Sequence, residues 1–228
     1  MDITFNNISY SILDGENKRI ILNQITYCFK SPGLFIIVGA SGSGKTTILH
    51  LLCRMLKPEK GVVELTQQNQ VLNLDKFFNF GKSFAFVYQK KLLLGFLNVR
   101  ENLSLAYELA GYSPFLALKK SREVLKKNNL FHLFSRKITT LSGGEKARIS
   151  LLRSIALERP VLLADEPTGE LDLVNAQLIC HQLYSLAKEK LVIVVTHNQD
   201  LFSIYDNATF LLLDEQKLWP INRYGVKS

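Results

Sequence analysis

Apolar and polar residues along the chain follow two different periods. Alternation over residues 2–12 and 19–29, separated by turn residues around Gly15, predicts a pair of strands. Short apolar runs predict six further strands, at residues 34–38, 62–65, 83–88, 161–164, 191–195 and 208–213. The wholly apolar runs among them are typical of strands that are buried on both faces of a sheet.

Helical periodicity takes over between about residues 91 and 157. Asn98 is placed to cap a helix that runs through Ala110, and Ser142 to begin another. Between them, Ser113-Pro114 begins a helix that runs to about Asn128. Two further helices are predicted at residues 48–56 and 173–188, and a polar loop is predicted at residues 66–69. Short apolar strands alternating with helices indicate an α/β fold with a mainly parallel sheet, on which the helical segment is inserted.

The stretch from residue 39 to residue 47 matches the phosphate-binding pattern G-x-x-x-x-G-K-[ST]. Its small residues let successive backbone N–H groups point at a phosphate, and the helix start adds partial positive charge. Lys45 can reach the β- and γ-phosphates, and the Thr46 hydroxyl can ligate Mg²⁺. A glycine-rich turn without a ligand is the alternative interpretation. The candidate phosphate-binding residues are Gly39, Ala40, Ser41, Gly42, Ser43, Gly44, Lys45, Thr46 and Thr47.

Polar side chains also follow three other predicted strands. Asp165 and Glu166 end one strand, where the first is placed to hold Mg²⁺ and the second to polarise an attacking water. His197 follows a second strand and is a candidate contact for a γ-phosphate. Gln89 ends a third, and its carboxamide can reach Mg²⁺ or water. Such strand ends line the ligand crevice of open α/β sheets.

A second anion site is predicted at the start of the helix that begins at Ser142. Ser142 with Glu145 three residues later forms a capping box. Ser142, Gly143 and Gly144 also leave a bare helix N-terminus. With only one P-loop in the chain, this extra site can serve the nucleotide of another protomer.

Charge and composition narrow the class of protein. The net charge is +8, and residues 90–153 contribute 13 Lys and Arg against four acids. A solvated surface, an acidic membrane face or protein partner, and nucleic acid are all open explanations for this basic segment. Three widely spaced cysteines, no apolar run of membrane-spanning length and no signal-like N-terminus lead us to expect a cytoplasmic location.

Taken in order along the chain, these motifs resemble those of the ATP-binding cassette (ABC) ATPases. The matching segments are Walker A at 39–46, the Q-loop Gln89, the signature 141–145, Walker B at 161–166, the D-loop 169–172 and the switch His197. The signature reads LSGGE, with Glu145 in place of the usual Gln. Residues 164–169 look most like the branch that serves macrolide exporters, lipoprotein-releasing systems, the cell-division ABC complex and bacteriocin exporters. Glu170 and residues 146–148 depart from that branch.

The adenine-stacking aromatic of the family has a weak counterpart. Tyr10 is the nearest aromatic residue, whereas counting back from the P-loop without gaps places Ile12 there. Stacking by Tyr10 requires a different register or a longer turn at residues 14–18. The stacking of a base is worth roughly 0.5–1.5 kcal/mol.

The resemblance implies a RecA-like P-loop NTPase fold with an antiparallel β subdomain and an inserted α-helical subdomain. Residues 1–89 and 158–228 would form the catalytic core, and about 90–157 the helical subdomain. It also implies ATP and Mg²⁺ as ligands, and a head-to-tail dimer, homomeric or with a similar subunit, in which Asp172 contacts the opposite site. A separate integral-membrane permease would be the partner, and the location would be peripheral, at the cytoplasmic face of the membrane. Part of the apolar segment 92–97 would form the docking groove for the permease, with ordinary core packing as the alternative.

Two other functions remain open at the level of sequence. A soluble ABC-type ATPase that acts on nucleic acid or ribosomes usually carries two cassettes or long coiled-coil insertions. This sequence shows neither, so no nucleic-acid partner is expected. A signalling ABC ATPase transmits force without moving a substrate. The expected function is export or release of a peptide, lipoprotein or drug, although the sequence names no cargo.

Overall fold

The computed structural model describes residues 1–15, 17–67, 70–73, 82–90 and 92–226. The first of its two sheets is antiparallel, in the order β2-β1-β4-β5. Its strands are β1 (Asp2–Asp14), β2 (Asn17–Phe29), β4 (Lys60–Gln67) and β5 (Gln70–Asn73). The long β1–β2 hairpin contains register shifts, one of them between Tyr10 and Ser11.

The second sheet has the order β10-β9-β3-β8-β7-β6. Its strands are β3 (Gly33–Val38), β6 (Phe84–Val87), β7 (Val161–Asp165), β8 (Leu191–Val195), β9 (Ala208–Asp214) and β10 (Lys217–Ile221). All neighbouring strands are parallel except the edge pair β9–β10. Every residue of β8 is buried, as expected for a central strand covered on both faces. The prediction of a mainly parallel sheet with an antiparallel β unit is therefore confirmed.

Five α-helices are present in the described part of the chain. They are α1 (Lys45–Leu52), α2 (Val99–Leu109), α3 (Pro114–Lys127), α4 (Gly143–Ala156) and α5 (Leu173–Leu186). Asn98, Ser113 and Ser142 cap α2, α3 and α4 through side-chain oxygens, as predicted, and the first and last of them form capping boxes. Helices α2, α3 and α4 follow one another between β6 and β7, where the helical insertion was predicted.

Two large apolar cores flank the parallel sheet. One packs β3, β7 and β8 against α1 and the antiparallel sheet, and includes Phe5, Phe29 and Leu49. The other packs the opposite face against α4 and α5, with Leu151 and Leu183 fully buried. Smaller clusters lie among α2, α3 and α4. The strand ends of the central sheet are thus held rigidly from both sides.

Several predicted element bounds were wrong. The helix after the P-loop ends at Leu52 instead of residue 56, because Arg54 adopts φ 58° and the Leu56 amide donates back to the His50 carbonyl. Thr66 and Gln67 belong to β4, where they pair with β5, and the rest of that predicted loop lies outside the described residues. Helix α5 ends at residue 186, two residues early.

Strand β5 was not predicted, and neither was β10. Strand β10 contains Pro220, and the order of the sheet places it at an edge, where proline is tolerated. Among the described residues, no helix has the length and apolar character needed to cross a membrane.

Candidate nucleotide-binding site

Four predicted functional segments lie at the same edge of the parallel sheet. The P-loop follows β3, Thr196-His197 follows β8, Glu166 follows β7 and Gln89 lies just beyond β6. Because β3, β8, β7 and β6 are consecutive and parallel neighbours, their carboxyl ends form one continuous crevice. The topology therefore brings together residues that are up to 158 positions apart, from Gly39 to His197.

Close packing of the P-loop explains two of its glycines. Gly44 has φ 105°, and a Cβ there would lie 2.5 Å from Ile21 Cγ2. A Cβ at Gly39 would lie 2.6 Å from the Leu213 carbonyl oxygen. Any side chain at either position would push the loop away from β2 or β9. The loop is thus wedged between two strands with its curved backbone fixed.

Lys45 lies across the mouth of this loop. Its Nζ donates to the carbonyl oxygens of Gly39, at 2.8 Å, and Ala40, at 2.9 Å. The residue is only 8% exposed. A buried ammonium that is held by loop carbonyls can exchange them for stronger, charged phosphate oxygens without a large movement of its stem.

Thr46 contacts the carboxylate at the end of β7. Its Oγ1 lies 3.0 Å from Asp165 Oδ2 and 3.2 Å from Oδ1. Desolvation raises the pKa of Asp165, and the neighbouring Glu166 charge raises it further, while the hydrogen bond from Thr46 opposes the shift. A hydroxyl and a carboxylate at this spacing are the hard oxygen donors that Mg²⁺ prefers. The donor set fits a divalent cation, which would also relieve the cost of ionising Asp165.

Glu166 and His197 form a pair beside this site. Glu166 Oε2 lies 3.0 Å from His197 Nδ1 and 3.3 Å from the His197 backbone nitrogen. The Glu166 side chain is 13% exposed and that of His197 is 70% exposed. Glu166 adopts φ 45°, and its amide donates to the Val195 carbonyl at 2.9 Å, which anchors it to β8. A carboxylate held in this way is positioned to accept a proton from a water in the crevice.

These groups surround a cavity of about 610 Å³. The predicted residues that line it are Ser41, Gly42, Gly44, Lys45, Thr46, Thr47, Gln89, Asp165, Glu166 and His197. Ala40 and Ser43 line a neighbouring cavity of about 460 Å³ on the other side of the loop, together with Gly42. Gly39 lies at the base of the loop and contributes its carbonyl to Lys45.

Two groups of predicted residues lie elsewhere. Tyr10 packs, partly buried, against the core between the sheets, whereas Ile12 lines the cavity. Residues 142–144 start α4, where the Ser142 hydroxyl accepts from the Glu145 amide and the Glu145 carboxylate accepts from the Ser142 amide. The pKa of Glu145 is lowered, chiefly by that backbone hydrogen bond. Ser142 and Gly143 are exposed and are not among the residues that line the cavity.

Sequence reasoning missed several residues of the site. Arg19 and Ile21 line the cavity beside the P-loop, where Ile21 packs against Gly44 and Arg19 donates to the Gly42 carbonyl. Asn175 lies against Gly144, and its Nδ2 donates to Asp172 Oδ2 at 2.7 Å. Arg19 could have been found in the sequence, because it lies opposite Ile12 across the turn at Gly15. The contact between Asn175 and Gly144 joins two helices, and no pattern in the sequence indicates it.

A strand–P-loop–helix unit with Walker B and switch residues at adjoining strand ends defines a P-loop ATPase. The sequence profile of the ABC transporter family matches residues 22–169, and the chain belongs to that family. It is an ATP-binding subunit of the ABC transporter class, with the ATPase activity of the family.

Two relatives and one solved structure illustrate the match. The lipoprotein-releasing system ATP-binding protein LolD of Idiomarina loihiensis is 35% identical over 198 residues, which cover 85% of this chain and 87% of that protein. LolD of Desulfotalea psychrophila is 32% identical, covering 92% and 95%. The dimeric post-hydrolysis structure of the ATP-binding cassette MJ0796, bound to ADP and Pi, has a TM-score of 0.82 at 26% identity, covering 95% and 96%.

Proposed function

We propose that ATP binds in the 610 Å³ cavity with its triphosphate along the P-loop. The observation that carries this proposal is the buried Lys45 ammonium, held only 2.8–2.9 Å from two loop carbonyls at the edge of the cavity. Gly39 to Thr47 would supply backbone amides, and Lys45 would transfer its hydrogen bonds from the loop carbonyls to the β- and γ-phosphates. Lys45→Ala should therefore abolish binding of ATP and of inorganic triphosphate alike.

Thr46, Asp165 and Gln89 would hold Mg²⁺ at this site. The hydroxyl and the carboxylate are already in contact, and Gln89 lines the same cavity. When bound, the ion would neutralise phosphate charge and orient the triphosphate. Thr46→Val, which keeps the shape and removes the hydroxyl, should weaken nucleotide binding in the presence of Mg²⁺ and have little effect in its absence.

Glu166 would act as the general base on the attacking water, and His197 would hold and sense the γ-phosphate. The 3.0 Å contact between the two side chains keeps the carboxylate aimed at the crevice. Loss of a positioned base typically costs about 10²–10⁴-fold in rate. Glu166→Gln should keep ATP binding and nearly stop turnover, giving a stable ATP-bound dimer. Phosphate release at the wild-type rate from this variant would refute the role.

The working unit would be a head-to-tail dimer with two ATP molecules at the interface. Residues 142–144 do not line the protomer's own cavity, and Ser142 and Gly143 are exposed at the start of α4. Each ATP would lie on one P-loop and under the other protomer's Ser142, Gly143 and Gly144, with Asp172 contacting the opposite site. MJ0796, at a TM-score of 0.82, is described in a dimeric state with ADP and Pi. Hydrolysis per protomer should fall on dilution, and a constant rate would contradict the dimer.

A membrane permease would dock beside the helical segment. An apolar groove of about 360 Å³ opens between the end of α1, β6 and the end of α4. Its lining consists of Cys53, Met55, Phe84, Phe86, Tyr88, Leu109, Arg153, Ser154 and Leu157. In the segment after Gln89, Phe96 is 85% exposed and Leu92 53% exposed, so both can extend this apolar surface. The groove would receive a cytoplasmic helix of the permease, which places the protein peripherally at the membrane.

Paired variants test this surface. Met55→Glu and Phe96→Glu should abolish co-purification with the permease and leave ATP binding intact. Ile204→Glu is the matched control, because Ile204 is 69% exposed and lies outside both the groove lining and the apolar segment 92–97. Equal association of all three variants would contradict the docking site. The basic segment 90–153 would face an acidic leaflet or partner, and association with anionic vesicles that does not weaken with added salt would contradict that part.

The cargo would be a lipoprotein, peptide or drug that is released or exported. The support is similarity to two lipoprotein-releasing system proteins, at 35% and 32% identity. In this scheme residues 1–89 and 158–228 form the catalytic core, and 90–157 the part that moves with the permease. Release assays on the reconstituted complex test the cargo: release that requires ATP supports it, and nucleotide turnover without release supports a signalling complex.

A further inference from the structure

One wall of the nucleotide cavity, beside the P-loop, is built from three side chains of the β1–β2 hairpin. Ile12 and Arg19 are direct cross-strand partners, so their side chains leave the sheet on the same face. Ile21, two residues beyond Arg19 on β2, lies unpaired at the register shift between Tyr10 and Ser11, and its side chain reaches the same cavity. All three line the cavity, and we call Ile12, Arg19 and Ile21 the hairpin platform.

The platform is fixed against the P-loop. Ile21 Cγ2 occupies the space where a Cβ of Gly44 would lie, 2.5 Å from that position. Arg19 Nη2 reaches the Gly42 carbonyl at 3.4 Å. The guanidinium therefore lies beside the phosphate loop, with the half-exposed Ile12 next to it on the neighbouring strand.

The described residues of this wall are aliphatic or basic. Within the described part of the chain, the residues that line the cavity include no Phe, Tyr or Trp. Tyr10, the predicted stacking residue, pairs with Leu22 beyond a register shift and packs into the core. A nucleotide whose triphosphate follows the P-loop would therefore meet aliphatic carbon and a guanidinium plane on the hairpin.

We propose that the base of the bound nucleotide stacks on the hairpin platform, with the Arg19 guanidinium in the role of the missing aromatic ring. A planar, weakly hydrated cation stacks on a π face and also attracts it electrostatically. Ile12 and Ile21 add apolar contact without hydrogen-bonding groups. The platform therefore contacts the face of a base and does not distinguish one base from another by hydrogen bonds to its edge. This inference rests on the proposed nucleotide site and specifies its base contact.

Calorimetric titration with ADP, GDP and inorganic pyrophosphate, each with Mg²⁺, separates base contacts from phosphate contacts without turnover. Arg19→Ala should weaken ADP and GDP binding by the same factor, about two- to fivefold, the range expected for a cation over an exposed π face. Its affinity for pyrophosphate should not change. Ile12→Tyr should tighten ADP binding about two- to tenfold by offering a ring beside Arg19. Folding of each variant is checked by circular dichroism.

Matched variants decide between the outcomes. Lys18→Ala removes one charge from the adjacent position. Lys18 pairs with Glu59 at 2.9 Å and does not line the nucleotide cavity, so this variant should change none of the three affinities. Equal losses of ADP and pyrophosphate binding in Arg19→Ala would show that Arg19 binds phosphate and would overturn the platform. Unchanged ADP binding in Arg19→Ala, with a loss in Tyr10→Leu, would overturn it in favour of Tyr10. If Lys45→Ala still binds pyrophosphate normally, the nucleotide site itself is wrong and the platform fails with it.

Discussion

Gly144 offers a sharp test of how the signature segment is built. A Cβ at this position would lie 2.5 Å from both Cγ and Nδ2 of Asn175, whereas a Cβ at Gly143 would meet no described atom within 4 Å. The two glycines occupy the first two positions of the same helix, so alanine at either should gain similar helix stability. Only Gly144→Ala must push the Asn175 carboxamide away from Asp172.

The expected magnitudes follow from these contacts. Gly143→Ala should stabilise the nucleotide-free protomer by about 0.5 kcal/mol, the lower end of the stability gained when alanine replaces glycine in a helix. An added methyl group in a packed site costs about 1–3 kcal/mol. The lower end applies to Gly144→Ala, because the obstructing atoms end a short surface side chain. The two variants should therefore differ by about 1–2 kcal/mol, or about 2–8 °C in Tm for a chain of this length.

Differential scanning calorimetry on the two variants, alone and combined with Asn175→Ala, gives the measurement. In the Asn175→Ala background the obstruction is gone, so Gly144→Ala should become as favourable as Gly143→Ala. This non-additivity identifies the contact itself. Equal Tm values for the two alanine variants in both backgrounds would refute the packing of Asn175 on Gly144.

Two further predictions concern polar groups that are shielded from solvent, Asp165 partly and Asn102 fully. The pKa of Asp165 lies above its ordinary value of 3.8, mainly because of desolvation, so ionisation of this carboxyl destabilises the fold. Asp165→Asn should thus raise Tm at pH 7 in the presence of a chelator. The difference in Tm from the wild type should vanish as the pH falls to the pKa that Asp165 has in the unfolded chain. A lower Tm of the variant at pH 7 would contradict this. Fully buried Asn102 accepts from the Leu94 amide at 2.9 Å and donates to the carbonyls of Leu94, at 3.1 Å, and Asn98, at 3.0 Å. Asn102→Ala should cost about 1–3 kcal/mol by leaving these groups unpaired, whereas Glu108→Ala on the exposed face of α2 should leave Tm nearly unchanged.

Local chemistry made much of the fold predictable. Asn98 and Ser142 were identified as helix starts because each places a side-chain oxygen before a periodic run, and Ser113-Pro114 because proline favours the first helical position. The structure contains a cap hydrogen bond at all three helix starts. The central strands were predictable from their unbroken apolar sequence, and the P-loop from its pattern between a strand and a helix. These signals require only neighbouring residues.

The elements and positions that were predicted wrongly depend on contacts between residues that are distant in sequence. The polar residues Thr66 and Gln67 are strand only because β5 pairs with them, and β10 is a strand only because β9 offers an edge. The position of Tyr10 depends on a register shift within the hairpin, and a count along the sequence cannot locate such a shift. The contact of Asn175 with Gly144 requires the packing of α5 on α4. The wall of the site was therefore harder to predict than its phosphate loop.

Complementation between two inactive variants tests the proposed dimer most directly. Lys45→Ala removes the phosphate contact and keeps the signature, whereas Gly143→Glu places an acid on the signature at a position with open space in its own protomer. In a mixture, about half of the two-fold dimers pair unlike protomers, and each contains one complete composite site. If each protomer completes the site of the other, ATPase activity should return on mixing to about a quarter of the wild-type value per protomer. A mixture as inactive as its two components, although the variants are shown to associate, would contradict the account.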